Sequence, residues 1–154
     1  MAGRRIAYRT ATHERALPVP RVTAWAAVTA AATERSGGVD LGAGAVPATE
    51  VVLSDEPPWR RVVRLDGDHT SPLCQTSITI RDDGESCLIA WSCLVDPTGV
   101  DADALDDLVS SVSTDGSRQL DLLADAVAVI TEDLQAGIDA LDEFADETIS
   151  KVKG

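Results

Sequence analysis

His13 and His69 are the two side chains of this 154-residue chain that ordinarily titrate near neutral pH. Either could serve as a general base. They lie far apart in sequence, and no Ser-His-Asp set, His-x-Glu-x-x-His pattern or phosphate-cradling glycine loop accompanies them. Both read as surface histidines. Gly42 and Gly44 do not complete a GxGxxG pattern. Cys74, Cys87 and Cys93 form no CxxC pair and no Cys/His cluster, so neither a zinc site nor a disulfide framework is expected. They read as small, half-buried thiols in a reducing compartment. Asp82-Asp83 and Asp106-Asp107 lack EF-hand spacing and read as turn and helix-surface charges. No residue is assigned a catalytic role, no metal-ligand set is expected, and nothing calls for a cofactor. Arg61 stands in phase with Val63 on a strand pattern and could project inward. A buried arginine needs a partner, which a ligand carboxylate or a protein carboxylate could supply; a solvated strand arginine is the plainer alternative.

The elements that would position these residues follow from periodicity. Residues 5–17 alternate weakly and carry Tyr8, Thr10 and Thr12, which favours a strand. Pro20 suits the first turn of a helix over 22–35, with Val22, Trp25, Val28 and Ala32 as its apolar stripe. Trp25 would anchor that helix. Residues 39–48, with Gly42, Gly44 and Pro47, read as a turn-rich connection. Four strands are then expected at 49–54, 60–66, 74–81 and 86–95, with a hairpin at Asp82-Asp83-Gly84. Trp59 follows two prolines, at a loop or at the rim of a pocket. Asp101 can cap a short helix carrying Leu105, Leu108, Val109 and Val112, and Asp115-Gly116-Ser117 is expected to interrupt it. A long helix from about 117 carries Leu120, Leu123, Val127, Ile130, Leu134, Ile138, Leu141, Ile149 and Val152 at spacings mostly of 3 and 4. This is an α+β pattern, in which the long helix covers the apolar face of an antiparallel sheet.

Composition narrows the classes. One domain is the default at this length, and 44% apolar residues suffice for a core. The net charge of −13 argues against a nucleic-acid-coating protein. Residues 1–81 hold 10 Arg and 8 acids, whereas 82–154 hold 18 acids and 3 bases, so the acidity belongs to the C-terminal half. Two lysines and 18 aspartates fit either a GC-rich genome or a high-salt cytoplasm. No apolar run reaches the roughly 18–20 residues that cross a bilayer. Arg4, Arg5, Arg9 and Arg15 leave no signal-peptide core, so a soluble cytoplasmic protein is expected.

Residues Pro20 to Trp25 resemble the P-x-x-x-V-W helix start of the START-like (SRPBCC) superfamily. Glu56-Pro57-Pro58-Trp59-Arg60-Arg61-Val62-Val63-Arg64-Leu65 is similar to the E-P-P-x-R-x-V-Y-x-L strand of its polyketide cyclase/dehydrase-like members. Ile78-Thr79-Ile80-Arg81-Asp82-Asp83-Gly84 and Cys87-Leu88-Ile89-Ala90-Trp91 resemble its V-T-I-x-x-x-G … G-T-x-L-x-W hairpin. The resemblance covers roughly 5–135. It implies a helix-grip fold, a curved antiparallel sheet around one long C-terminal helix with a ligand cavity between them. Residues 36–48 are short and lack the tryptophan-bearing loop and hairpin usual there, so the sheet is expected to be abbreviated.

The implied division is a helix-grip domain over 1–135 and an acidic helical extension over 136–154. The expected function is binding of a small hydrophobic ligand of lipid, polyketide or aromatic-metabolite class. Its candidate contacts are Trp91, Ile89, Cys93, Val63, Leu65, Arg61, Ile78, Ile80, Leu123 and Val127; for Trp91, packing in the core is the plainer role. A cyclase- or dehydratase-like enzyme is one alternative. Another is an interaction protein that docks a basic partner through its acidic helix, and the stripe beyond 136 could also pair two copies as a homodimer.

Overall fold

The computed structural model of the chain describes residues 7–36, 38, 48–66 and 73–153. His69, Gly42, Gly44, Pro47 and the first residues of the expected 5–17 strand lie outside the described residues, as does the Val152 side chain. The elements in order are β1 (Arg9–Leu17), α1 (Arg21–Arg35), β2 (Thr49–Glu56), β3 (Arg60–Asp66), β4 (Cys74–Asp83), β5 (Ser86–Val95) and α2 (Ala102–Lys153). The five strands form one antiparallel sheet in the order β1-β5-β4-β3-β2. The sheet is open, with α1 and α2 against one face. No described helix is long and apolar enough to cross a membrane.

The β4–β5 hairpin forms where its turn residues place it. Asp83 pairs with Ser86 across Gly84 and Glu85, and Gly84 has φ +71°, a conformation that glycine adopts without cost at the first central position of a two-residue turn. Strict alternation then sets Cys87, Ile89, Trp91, Cys93 and Val95 on one face of β5, all buried. They pack beneath Leu105, Val112, Leu120, Leu123 and Val127 of α2.

α2 runs alongside β1 in the same direction, with Arg9 paired to Asp106 (2.7 Å), His13 to Ser113 and Arg15 to Asp121. The two outer pairs are exposed and contribute at most about 1 kcal/mol each. His13 is half-buried, not on the surface as expected. Its Nε2 hydrogen-bonds the Ser113 Oγ at 2.9 Å or carbonyl at 3.0 Å, and its ring stacks on Trp91 at 5.5 Å between centroids.

Two further expectations fail for identifiable reasons. Asp115-Gly116-Ser117 does not break the helix, and α2 runs unbroken for 52 residues. Gly116 lies flat against the Trp91 indole, where a Cβ would sit 2.5 Å from ring carbon Cε3. The glycine is therefore a helix–sheet contact, and Asp115 is a buried charge. The apolar stripe of α1 is also rotated from the expected one. Ala24, Ala27 and Val28 are buried, Trp25 is half-buried and Val22 is 69% exposed. The buried face of α1 thus consists mainly of small side chains. At its start the Arg21 guanidinium lies over the Trp59 ring at 3.5 Å, which ties the β2–β3 turn to α1.

Candidate ligand-binding site

β5 is covered directly by α2, but β3 and β4 lie farther out, where α1 and α2 leave a gap. The gap is a cavity of about 490 Å³, within the usual range for small-molecule sites. Its floor is a patch of four side chains fixed by strand register. Arg61 pairs with Ile78 and Val63 with Thr76, and all four project to the concave face. One wall is α1, which contributes Ala26, Ala27, Ala30, Ala31 and Ala32. Small side chains on a helix held at packing distance from a sheet leave volume unfilled, so this alanine run is the local cause of the cavity. The other wall is α2, through Leu122, Leu123, Ala126, Val129 and Ile130. Leu122 and Val129 are more than half exposed and form an apolar lip.

One end of the cavity is polar and, apart from the exposed Glu34, internally satisfied. Arg35, in the last turn of α1, donates to Asp115 Oδ2 from Nη2 at 2.9 Å and to Oδ1 from Nη1 at 3.4 Å, and its Nε donates to Glu50. Asp115 also accepts from Arg118 at 3.0 Å and from the Gln119 amide at 3.0 Å. It is 3% exposed. Burial alone would raise its carboxyl pKa, but the Arg35, Arg118 and Gln119 donors outweigh burial and hold it below the usual carboxylate range. Asp115 therefore stays ionised and acts as a fixed anchor. Burial also opposes the charge on Arg35, and its two carboxylates overcome it.

The cavity holds Arg61, Val63, Ile78 and Leu123 of the expected contacts. Trp91, Ile89, Cys93, Leu65, Ile80 and Val127 lie instead in the packed core beside it. Arg35, Glu50, Thr76, Gln119 and the alanine face of α1 were not legible as site residues. A buried Asp–Arg pair joining positions 35 and 115 leaves no local signal. The thiols are not nucleophile candidates. Burial, with the Cys93 thiol beside it, pushes Cys74 up to about 12, and burial likewise raises Cys87 and Cys93. Chemically the site can enclose an apolar body and offer it a few fixed polar groups.

No family model matches the chain, and no curated protein matches it. Solved structures do. Ara h 8.0201 is similar at 13% identity over 80% of this chain and 99% of that one, with a TM-score of 0.61. CalU16 from Micromonospora echinospora is similar at 18% identity over 79% of this chain and 78% of that one (TM-score 0.57). A point mutant of norcoclaurine synthase from Thalictrum flavum, in complex with a transition state analogue, is similar at 14% identity over 81% and 97% (TM-score 0.56). Shared topology at such identities shows the fold. With its open five-stranded sheet gripping one long C-terminal helix, the chain has the helix-grip fold of the START-like superfamily.

Proposed function

We propose that the protein binds a small hydrophobic ligand, of lipid, polyketide or aromatic-metabolite class, in the cavity between α1, α2 and the sheet. The carrying observation is the cavity itself, about 490 Å³ and lined mainly by Ala, Val, Leu and Ile, with its polar groups gathered at few points. A cyclase- or dehydratase-like reaction has less support. Proton transfer needs an acid or base held against the substrate; Glu50 is engaged with Arg35, as is Asp115 beside the cavity, and the third carboxylate, the lining Glu34, is solvent-exposed. The buried protonated thiols fit a reducing cytoplasmic setting.

A second reading is carried by the far end of α2. We divide the chain into a helix-grip domain over 1–135 and an acidic extension over 136–154. Leu134, Ile138, Leu141, Phe144 and Ile149 are all at least half exposed there. Their spacing makes a stripe that a partner helix could cover. Asp139, Asp142, Glu143, Asp146 and Glu147 flank it, so a basic amphipathic partner is better matched than a second copy, which would bring the same charge.

Native mass spectrometry of freshly purified protein, at low and high ammonium acetate, tests both readings. The ligand reading expects a small molecule that leaves on denaturation, or uptake from an added panel of apolar compounds. A monomer that is empty and takes up none of the panel overturns it. A dimer formed at low salt would replace the basic partner with a second copy.

A further inference from the structure

The cavity contains two arginines in opposite states. Arg35 is saturated, since its guanidinium meets two carboxylates. Arg61 is not. Its side chain is 20% exposed, and among the described residues its nearest carboxylate is Asp55, at 3.9 Å, beyond hydrogen-bonding distance. The Asp55 side chain is itself 46% exposed, on the edge strand β2. Thr76, 8% exposed, lines the same floor two residue pairs farther along the ladder, and its hydroxyl has no hydrogen-bond partner among the described residues. A mostly buried arginine side chain with five donors and a nearby open hydroxyl make an incomplete polar set. A carboxylate is the planar, bidentate acceptor that completes it.

Placement supports the same conclusion. Glu50 is paired with Leu65, and Arg61 lies four residues away on β3, about 13 Å at 3.3 Å per residue. The saturated Arg35–Glu50–Asp115 cluster thus closes one end of the cavity, Arg61 stands towards the other, and the apolar stretch between them contains Val63 and the α1 alanines.

We propose that the ligand is an apolar monoanion whose carboxylate binds Arg61, with the Thr76 hydroxyl as a second donor, and whose apolar body lies along the alanine face of α1. This rests on the cavity being a ligand site. It adds a charge requirement that the shape of the cavity does not impose. Either a straight-chain fatty acid or a fused-ring aromatic acid supplies the chemistry, and the assay separates them.

The test is calorimetric titration of the full chain with two matched pairs, decanoate against decanol and 2-naphthoate against 2-naphthalenemethanol. Each acid should bind about 10- to 100-fold more tightly than its alcohol, the size expected for a charge-assisted bidentate contact. Preference for one acid over the other identifies the source. Arg61→Gln should abolish the acid–alcohol difference while the alcohols bind as before. Arg61→Lys, which keeps the charge on a similar stem, should retain part of the difference. If acids and alcohols bind equally, the anion anchor is refuted and the apolar cavity stands. If none of the four binds, both are refuted. If Arg61→Gln keeps the full difference, the anchor lies elsewhere and the proposal fails.

Discussion

Replacing Gly116 by alanine should destabilise this protein, against the ordinary rule. In a helix interior glycine is about 1 kcal/mol less stable than alanine, so the substitution usually helps. Here the new Cβ would stand 2.5 Å from the Trp91 ring carbon Cε3. Carbon atoms pack at about 3.5–4.0 Å, so helix and ring must separate by at least about 1 Å. Neither yields easily. Trp91 is fully buried and stacked on His13, and α2 is held in the turn before the glycine by Ser113 to His13 and Asp115 to Arg35. Overpacking of this kind costs about 1–3 kcal/mol, and the poor fit places Gly116→Ala near the upper end. After subtracting the helix-propensity gain, we expect a net loss of about 2 kcal/mol, or roughly 4–8 °C in Tm at this chain length. Urea unfolding followed by circular dichroism measures it. The same substitution in a Trp91→Leu background should be neutral or stabilising, because the obstacle is gone. Gly116→Ala equal to or more stable than wild type would refute the close contact, and with it the reading of α2 as one helix wedged on Trp91.

Two further outcomes follow from the charges. Asp115→Asn should cost about 3 kcal/mol, because it leaves Arg35 half-buried without its main partner. The wild-type carboxyl is held below its unfolded value of about 3.9, so its contribution is complete above that pH and is lost as pH falls through the folded value. The wild-type and Asp115→Asn unfolding curves should therefore converge in acid, and a gap that stays constant from pH 7 to pH 3 would contradict the assignment. At the far end of α2 the like-charged pairs Asp139/Glu143, Asp142/Asp146 and Glu143/Glu147 stand at i,i+4, where each weakens a helix by a few tenths of a kcal/mol. Molar KCl shortens the screening length to about 3 Å and should raise the helical ellipticity of the native protein. Gly137→Ala, with nothing within 4 Å of the added Cβ, should raise it further. No response to either would mean that the overhang is already held by packing.

The four strands after α1 and the β4–β5 hairpin were readable because alternation and turn residues are local. The Asp83-Gly84 hairpin and the 87/89/91/93/95 face follow from period 2 alone. The long apolar stripe of α2 was likewise readable from its spacing. What the sequence could not reveal was what met what across the fold. Asp115-Gly116 reads as a helix break until the Trp91 ring is seen against it, since no local rule separates a breaking glycine from one that admits a ring. His13 reads as a surface group until β1 is seen lying along α2. Most of all, alternation set Trp91, Ile89 and Val63 on one face of the sheet but could not say which of them a helix covers. Tertiary packing decided that. α2 lies on β5 and seals Trp91, Ile89 and Cys93 into the core, while the alanine face of α1 leaves β3 and β4 uncovered around Arg61, Val63, Thr76 and Ile78. A cavity is volume that side chains fail to fill between elements, and that failure is a property of their distances in space, which no single stretch of chain encodes.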